Sequence, residues 1–462
     1  MRPVIGVLGL SAGIINLIIG AGIFALPAVA EEQLGSHAWA AYVVCAVLMM
    51  LALLCFAVAG SRVTTTGGPY AYVHAAFGAF PAFLSGVLLW VAAIVSTAAV
   101  ATVFSDTLGT VFPGVAAGVG RMVVLLLLYG IAVLINVRGV RSGTRTVMGL
   151  TVAKVLPLVL LVLVAGVMIV LGRVAPAPVS HAVAGAASSA AYPFTAANVG
   201  RTALVLIFAF FGSEVALAPS GEVKQPARTV PMAIGIALGV VTLLYLALQA
   251  AAQAVLGPAL AQDPTVHAAP LVAAATRLVG PAGAVVLTAA ALVSTAGYVL
   301  GDALASPRVL YALAADGHLP RVLARIHARY ETPAVAVILH GTIAVLLAIS
   351  GTFASLAILN NVAMLVLYLL CCIAAIVLLR RDASATTTAP APRTTPTIES
   401  AHTPLTLPFG PLIPLLACGA LLWLLAHAEW REYAAVAAAI GIATVAYVLG
   451  RQRSAVAPGR SS

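Results

Sequence analysis

The amino-acid sequence predicts an all-α integral membrane protein with twelve transmembrane helices. Of its 462 residues, 62% are apolar and only 8% are charged, and the mean hydropathy is +1.12. Soluble domains carry about a quarter charged residues, so this composition excludes a soluble fold. A helix needs about 20 mostly apolar residues to cross a bilayer, and the chain contains twelve stretches of roughly this kind.

The twelve stretches are bounded by charged residues or by glycine and proline clusters. Their boundaries are 5–30, 38–60, 80–105, 122–137, 147–172, 201–221, 230–256, 282–305, 334–352, 356–379, 409–427 and 433–450. An even number of spans places both termini on the same side of the membrane.

The distribution of basic residues indicates which side that is. Of the 23 lysines and arginines, 18 fall on the side of the termini, and the other side has Arg121, Arg173, Arg201, Arg277 and Arg431. Basic residues collect in cytoplasmic loops, so we expect a multi-pass protein of the cytoplasmic (plasma) membrane with both termini cytoplasmic. The net charge of +10 then reflects orientation in the bilayer, and no nucleic-acid partner is expected.

The cysteines give no sign of disulfides or of metal binding. All five lie in apolar runs without a CxxC spacing: Cys45, Cys55, Cys371, Cys372 and Cys418. We interpret them as small buried apolar residues. No metal site and no cofactor are expected.

Two segments between the spans have a distinct composition. Residues 382–408 are rich in threonine, alanine and proline, which predicts a disordered cytoplasmic linker that sets the last two spans, 409–450, apart from a core of ten. Residues 173–200 are similarly rich in alanine, serine and proline, and we interpret them as an extracellular loop. Residues 451–462 would be a cytoplasmic tail.

Two spans contain signals for a break in the helix. The first span has Gly20 and Gly22 near its middle and Pro27 just over a turn later, and the sixth contains Gly212 followed by Pro219. A break in the helix at membrane depth is tolerated only where the backbone is buried in protein or lines a cavity. The alternative is that these spans are unbroken and that their glycines serve helix packing.

The positions of the breaks define two matching halves. Spans one to five (residues 1–172) and six to ten (201–381) form two sets of five, and the odd number makes the second set run inverted to the first. Interrupted spans at matching positions in two halves indicate the binding site of a secondary transporter.

Four segments extend this pattern to a known family. They are Gly20-Ala21-Gly22-Ile23-Phe24, Gly67-Gly68-Pro69-Tyr70, Gly212-Ser213-Glu214 with Glu222, Pro226, Arg228 and Pro231, and Arg308-Val309-Leu310-Tyr311-Ala312 with Asp316, Gly317 and Pro320. In these motifs, which reach across about the first 320 residues, the sequence resembles the amino acid permeases of the amino acid/polyamine/organocation superfamily. The resemblance implies a 5+5 inverted repeat like that of the bacterial leucine transporter, with broken helices 1 and 6 and two additional C-terminal helices.

The resemblance also implies an amino acid bound at the membrane midplane between the two breaks. Free N–H groups at the start of a half-helix would hold the substrate carboxylate, and unpaired carbonyls would accept hydrogen bonds from its ammonium. The substrate-binding candidates are Ile18, Ala21, Gly22, Ile23, Phe208, Phe211 and Gly212. In the family the aromatic residue at the position of Phe208 also covers the substrate, so Phe208 is a gate candidate, with core or lipid-facing packing as the alternative.

The substrate class is less readable from the sequence. Plausible residues lining the side-chain pocket are Trp90, Ser96, Thr97 and Asn360. Spans three and ten offer no charge near the midplane, which favours a neutral amino acid. Glu214 could pair with a second positive charge, so a cationic amino acid or amine remains an alternative.

Lys154 is the main candidate for coupling transport to an ion. It lies nine residues after Arg145, or about 13 Å along a helix. This position is deep for a lysine whose side chain snorkels to the membrane surface. Snorkelling remains the alternative if span five starts late. In related permeases a lysine in the matching Lys-x-x-Pro setting occupies the place where sodium-coupled relatives bind their cation. We therefore expect a proton as the coupling ion, because a desolvated lysine can release its proton.

Other polar residues in the spans complete the candidate coupling site and an inner gate. The coupling candidates besides Lys154 are Glu214, Ser294, Thr295 and Asp302, with Asp302 expected to pair with Arg308 or with Lys154. The gate candidates on the cytoplasmic side are Glu222, Arg228, Arg308 and Asp316, although such clusters are often solvated loop ends.

These patterns predict proton-coupled symport of a neutral amino acid by alternating access. An amino acid exchanger or an exporter would use the same fold and remains open. An intramembrane enzyme is a remote alternative, because the sequence contains no HExxH or GxSxG motif. A channel is also a remote alternative, because the spans contain no repeated filter motif.

Overall fold

The computed structural model describes residues 6–63, 68–115, 117–138, 144–173, 194–213, 225–387, 405 and 410–455. These residues form helices and turns and contain no β-strand. The prediction of an all-α protein is therefore confirmed for this part of the chain.

The α-helices are numbered here in chain order. The first eight are α1 (Val7–Ile18), α2 (Gly22–Leu34), α3 (Ala38–Arg62), α4 (Pro69–Phe77), α5 (Ala79–Val111), α6 (Gly118–Arg138), α7 (Thr144–Val170) and α8 (Ala196–Leu206). The next five are α9 (Pro226–Leu256), α10 (Ala259–Gln262), α11 (Pro264–Ala268), α12 (Pro270–Val279) and α13 (Pro281–Ala305). The chain continues with α14 (Pro307–Ala315), α15 (Ala334–Ser350), α16 (Phe353–Thr387), α17 (Leu412–Leu425) and α18 (Trp430–Ala455).

Six helical stretches of the described chain are long and apolar enough to cross a membrane. They are Gly22–Arg62, Ala79–Val111, Gly118–Arg138, Arg228–Leu256, Pro281–Ala315 and Phe353–Asp382. This number agrees with a multi-pass membrane protein but is below the twelve predicted spans. The shorter apolar helices are Val7–Asn16, Lys154–Val170, Ala196–Phe210, Pro270–Val279 and Ala334–Ser350. The difference arises partly because the predicted first and sixth spans are interrupted, so that neither forms one long helix.

The burial of each helix separates the centre of the molecule from its rim. In α5, 72% of the most apolar window is buried inside the protein, whereas in α6 only 17% is buried. The exposed residues of α6 include Leu126, Leu127 and Ile131. In a membrane protein such an exposed apolar surface faces lipid, so α6 lies at the rim and α5 at the centre.

The last two helices pack against the rest of the protein. The helix α17 contacts α3, α8 and α16, and α18 contacts α5 and α16. Tyr447 of α18 is buried beside Phe83 of α5, with their ring centroids 5.0 Å apart. The two helices meet at a bend of 115° across residues 426–429. Both of the last two helices therefore pack against helices of the predicted core of ten.

Candidate substrate and coupling site

The first span is broken where the sequence predicts. The helix α1 ends at Ile18 and α2 begins at Gly22, so residues 19–21 connect two separate helices. Inside the break, the Gly20 N–H donates to the Ile18 carbonyl oxygen at 2.8 Å, which is a tighter turn than a helix makes.

The beginning of α2 is buried and has no side-chain cap. Ala21, Gly22 and Ile23 are all buried, and no side chain accepts a hydrogen bond from the first turn of α2. The first N–H groups of a helix have no partner within the helix, and the helix dipole adds partial positive charge there. This end of α2 can therefore receive a negatively charged group.

The second break follows α8. The chain tightens into a 3₁₀ turn at Ile207–Phe210, becomes extended at Phe211 with ψ 161°, and then turns at Gly212 with φ 112°. A φ of this size favours glycine because a Cβ atom would clash with the backbone. The Phe-Gly pair therefore ends the helical path where the sequence predicts.

The two breaks touch each other. A Cβ atom added at Gly22 would lie 3.1 Å from both the Cα and the Cβ atom of Ala209. Glycine at position 22 thus allows the beginning of α2 to approach the 3₁₀ turn of the second broken helix. The N–H groups at the beginning of α2 therefore lie next to the 3₁₀ turn of the second break.

A tyrosine from α9 contacts the backbone of both breaks. The hydroxyl group of Tyr245, which is fully buried, lies 3.0 Å from the Ala209 carbonyl oxygen and 3.3 Å from that of Ile18. The sequence analysis missed Tyr245, because a tyrosine in an apolar helix gives no indication of which backbone it meets. The expectation that the Ile18 carbonyl is unpaired is wrong, since it accepts a hydrogen bond from the Gly20 N–H, and the Tyr245 hydroxyl also lies 3.3 Å away.

The same face of α9 holds the rest of α2. One turn after Tyr245, the Gln249 amide donates to the Pro27 carbonyl at 3.3 Å, and Gln253 donates to the Glu31 carboxylate at 2.6 Å. Residues spaced by four lie on one face of a helix, so these three side chains form a polar stripe along α2. The hydroxyl of Tyr42 donates to the Gln249 side-chain oxygen from the opposite side.

Asparagines of α16 hold the end of α8. The side chain of Asn361 donates to the carbonyls of Leu204 at 2.6 Å and Val205 at 3.2 Å. Asn360, a predicted pocket residue, donates to the Asn361 side-chain oxygen at 3.1 Å. Carbonyls near the end of a helix lack intrahelical partners, so Asn361 compensates for the loss of helix at the second break.

Phenylalanines of the second break contact α16. The ring of Phe208 packs edge-on against Phe353, with ring centroids 5.6 Å apart, and only 8% of Phe208 is exposed. Phe211 packs against Tyr368 in the same way at 5.4 Å. Phe208, the predicted gate residue, is therefore buried against α16 in this conformation.

Among the other predicted pocket residues, Ser96 and Trp90 lie on α5. The Ser96 hydroxyl shares a hydrogen bond of 2.8 Å with the hydroxyl of Tyr298 on α13. The indole nitrogen of Trp90 is buried without a hydrogen-bond partner. Thr97 is buried beside them.

Lys154 contacts the end of the first half-helix. Its Nζ atom donates to the Asn16 carbonyl oxygen at 2.7 Å, so the ammonium group caps the C-terminal end of α1. A positive charge is favourable there because the helix dipole leaves partial negative charge on the last carbonyls. Of the two hydroxyl residues predicted nearby, Thr295 donates to its own helix at Ala291, and Ser294 is buried without a partner for its hydroxyl.

Asp302 has different partners from those predicted. Its carboxylate accepts from the Ser306 hydroxyl at 2.5 Å and lies 2.8 Å from Nε2 of His340 on α15. The expected pairing with Arg308 or Lys154 is wrong, because the turn between α13 and α14 brings Ser306 to Asp302 and α15 brings His340. His340 was not among the residues singled out from the sequence.

The predicted inner gate is only partly described. Glu222 and the coupling candidate Glu214 lie outside the described residues. Within the described chain, Arg228, Arg308 and Asp316 form no ion pair with one another, and one guanidinium nitrogen of Arg308 is buried without a hydrogen bond. In this conformation the described members of the gate are not assembled.

No metal site is apparent in the described part of the chain. These residues contain no group of three or more histidine, cysteine or acidic side chains that could hold a metal ion. The five cysteines, all within the described residues, form no disulfide bond.

Comparison with known proteins identifies the family. The model of the family described as "Amino acid permease" matches residues 5–449, almost the whole chain. The chain belongs to the amino acid permease family. The resemblance noted in four sequence motifs is thereby confirmed over a larger region.

Individual transporters are similar over about three quarters of the chain. The b(0,+)-type amino acid transporter 1 of Mus musculus is 29% identical over 77% of this chain and 72% of its own length. The Asc-type amino acid transporter 1 of Mus musculus is 31% identical over 76% of this chain and 66% of its own length.

Two further relatives have different substrates in their names. The Large neutral amino acids transporter small subunit 2 of Homo sapiens is 29% identical over 73% of this chain and 62% of its own length. The Cystine/glutamate transporter of Homo sapiens is 29% identical over 74% of this chain and 67% of its own length. For two of the four relatives described, the match spans slightly less than two thirds of their length. The family and these relatives are amino acid transporters and not enzymes.

Proposed function

We propose that this permease is a secondary active transporter that moves a neutral amino acid across the membrane by alternating access. The observation that carries the proposal is the buried, uncapped beginning of α2, which lies against the 3₁₀ turn of the second broken helix. A buried helix end without a cap requires a partner for its N–H groups, and a carboxylate is suited to that place.

The two breaks divide the recognition of the substrate between them. The N–H groups of Ala21, Gly22 and Ile23 bind the α-carboxylate, and the carbonyls of Phe208 and Phe211 accept hydrogen bonds from the α-ammonium. Gly212 permits the turn that exposes these carbonyls, and Ile18 contributes by ending α1. Phe208, which packs against Phe353, covers the bound amino acid and acts as the gate.

The surroundings of this site favour a neutral side chain on the substrate. The predicted pocket residues are uncharged: Ser96 shares a hydrogen bond with Tyr298, and Asn360 donates to Asn361. The relative named for large neutral amino acids agrees with this proposal. A cationic amino acid or amine would need a carboxylate such as Glu214.

We propose that a proton drives uptake and that Lys154 is central to the coupling, with Glu214, Ser294, Thr295 and Asp302 as further candidates. The bond from Lys154 to the Asn16 carbonyl connects α7 to the half-helix that ends at the substrate site. An ammonium group fixed there would repel sodium, and its release from Asn16 on deprotonation would free α1 to move.

Exchange of amino acids is the second candidate. The observation that favours it is the relative named as a cystine/glutamate transporter, since this name contains two solutes. An exchanger would use the same breaks and would require substrate on both sides of the membrane. Export of an amino acid is a variant of the same mechanism.

The proposed architecture has twelve spans in the plasma membrane with both termini in the cytoplasm. Residues 1–172 and 201–381 would be inverted five-helix repeats, 173–200 an extracellular loop, 382–408 a cytoplasmic linker, 409–450 the last two spans and 451–462 a tail. The two helix breaks at corresponding positions support this arrangement. The inner gate would be formed by Glu222, Arg228, Arg308 and Asp316 in another conformation of the cycle.

Uptake into liposomes tests the proposal. The purified protein is reconstituted and given a panel of labelled amino acids under an imposed proton gradient, an imposed sodium gradient or no gradient. We expect accumulation of a neutral amino acid with the proton gradient alone. Accumulation that depends only on unlabelled amino acid inside the liposomes would establish exchange, and no uptake of any amino acid would refute the proposed function.

A further inference from the structure

A buried histidine and aspartate connect two helices away from the substrate site. Nε2 of His340 on α15 lies 2.8 Å from Oδ2 of Asp302 on α13, and the side chains are only 1% and 8% exposed. The other carboxylate oxygen accepts from the Ser306 hydroxyl at 2.5 Å. Both oxygens of Asp302 are thus bonded, and one partner is a titratable imidazole.

One nitrogen of this pair and one side-chain oxygen on a neighbouring helix are buried without hydrogen-bond partners. Nδ1 of His340 is buried and has no hydrogen bond. The side-chain oxygen of Asn136 on α6 is also buried without a partner, although its amide nitrogen donates to the Leu300 carbonyl, two residues before Asp302. The helices α6 and α15 are in close contact, since a Cβ atom added at Gly341 would lie 2.4 Å from Val133. Unsatisfied buried polar atoms are rare, so a cluster of them requires an explanation.

The charge of the pair depends on how many protons it holds. With Asp302 ionised and His340 neutral, the pair carries one negative charge in a buried place, which is energetically costly. With one additional proton, held by the imidazole or by the carboxyl group, the pair is neutral. An imidazole and a carboxylate in hydrogen-bond contact can hold one additional proton between them, so the pair is chemically suited to bind and release it.

We propose that His340, Asp302 and Ser306 form a buried proton-binding site between α13 and α15, whose occupancy controls the rate of transport. The proposal rests on the proposed transport function and adds to it a proton site distinct from Lys154. The bound proton removes the buried negative charge and allows α13 and α15 to remain packed. Loss of the proton at higher pH leaves the carboxylate charge uncompensated and slows the cycle.

Other titratable or charged groups on the helices packed against α13 and α15 also act on the pair. Among the described residues, they are Asp106 on α5, Tyr129 and Arg138 on α6, Lys154 on α7, Arg277 on α12, Arg308 and Tyr311 on α14, and Arg321 in the turn after α14. Tyr129 interacts electrostatically with Asp302. Asp106 is paired with Arg121, and Lys154 is bound to Asn16. These arrangements leave His340 as the nearest titratable partner of Asp302.

Two substitutions that keep hydrogen-bonding capacity test the site. His340→Gln retains an N–H donor for Asp302, and Asp302→Asn retains an amide for both neighbours, but neither new side chain titrates. Counterflow of a labelled amino acid is measured with equal pH inside and outside the liposomes, so that the driving force stays constant. We expect the wild-type rate to fall as pH rises, by up to about tenfold per pH unit for the loss of one proton. Asp302→Asn should lack this decline, and in His340→Gln the decline should move to a different pH, because Asp302 remains titratable but has lost its imidazole partner.

The exposed pair of His267 and Glu32 supplies the matched control. Their side chains lie 3.3 Å apart but are 36% and 59% exposed. His267→Gln should therefore leave the pH profile unchanged. A decline that persists at its wild-type pH in both His340→Gln and Asp302→Asn would overturn the proposal.

Infrared spectroscopy of the purified protein tests proton binding without transport. A spectrum at low pH minus one at high pH should contain a carboxyl band that disappears in Asp302→Asn and shifts in His340→Gln. Identical spectra in wild type and Asp302→Asn would overturn the proton site, even if transport is intact. Absence of transport in wild type with a normal infrared titration would instead refute the proposed function alone.

Discussion

Tyr245 is the side chain that contacts the backbone of both broken helices. Its hydroxyl is fully buried and lies within hydrogen-bond distance of the carbonyls of Ile18 and Ala209. A backbone that leaves its helix exposes carbonyls that water cannot reach in the membrane, so a side chain must bond them. Lys154 does the same for Asn16 at the end of α1.

We predict that Tyr245→Phe weakens substrate binding more than it reduces the maximal rate. The substitution keeps the ring but removes the bond to the Ala209 carbonyl, at a cost of about 1–3 kcal/mol for an unsatisfied buried group. The KM for the transported amino acid should rise about tenfold or more, as measured by liposome uptake. Tyr42→Phe is the control, because Tyr42 is equally buried and bonds only Gln249 among the described contacts. Equal effects of the two substitutions would contradict the prediction.

We predict that Lys154→Ala abolishes proton-driven accumulation. The substitution removes the ammonium group that caps α1, so the proton gradient loses its connection to the first broken helix. Accumulation is measured in liposomes with an imposed proton gradient, and counterflow without a gradient serves as the test that the variant still folds and binds substrate. Accumulation at the wild-type level in Lys154→Ala would contradict coupling through this residue.

At the scale of helices, the contact between the two breaks depends on one glycine. Gly22 lies so close to Ala209 that an added Cβ atom would require its neighbours to move by a few tenths of an ångström. The Asn361 side chain fixes the end of α8 on the other side of the site. The position of α2 relative to α8 is therefore determined by close packing and by hydrogen bonds to the backbone.

We predict that Gly22→Ala severely reduces transport, whereas Gly13→Ala does not. A Cβ atom at position 22 would lie 3.1 Å from the Ala209 backbone, and one at position 13 would have no atom within 4 Å. Alanine within α1 should even stabilise that helix by about 0.5–1 kcal/mol. Uptake rates and thermal stability in detergent are measured for both variants. Normal uptake by Gly22→Ala would show that the two breaks need not be in contact.

At the scale of the whole molecule, long helices form a centre that short and broken helices complete. The centre includes α5 and α16, which pack against each other, and α9 packs against α1 and α3. The last two helices cover α3, α5, α8 and α16. This arrangement buries aromatic residues from distant parts of the chain, such as Phe56 beside Tyr368.

The proposed orientation predicts which loops are accessible from each side of the membrane. We expect a cysteine introduced by Gln262→Cys to react with an impermeant maleimide from outside, and one introduced by Ala328→Cys to react only from inside. Both positions are exposed, and four of the five native cysteines are buried. Labelling is measured in intact cells and in inverted vesicles. The reverse pattern would contradict cytoplasmic termini.

The sequence by itself determined the membrane class, the helical fold and the position of both breaks. The high apolar and low charged content requires a bilayer around the protein. Glycine and proline act locally on the backbone, so Gly20, Gly22 and Gly212 could be interpreted without knowledge of the residues that pack against them. The motif around Lys154 also indicated a lysine inside the protein. These properties depend on residues that are close together in the chain.

Only the tertiary structure decided which distant residues meet. Tyr245 and Asn361 bond the broken helices from more than 30 residues and more than 150 residues away, respectively. Asp302 pairs with His340 and not with Arg308, because the packing of α13 on α15 places the imidazole beside the carboxylate. A buried polar group takes the partner that packing brings within hydrogen-bond distance, and the linear sequence does not contain that distance.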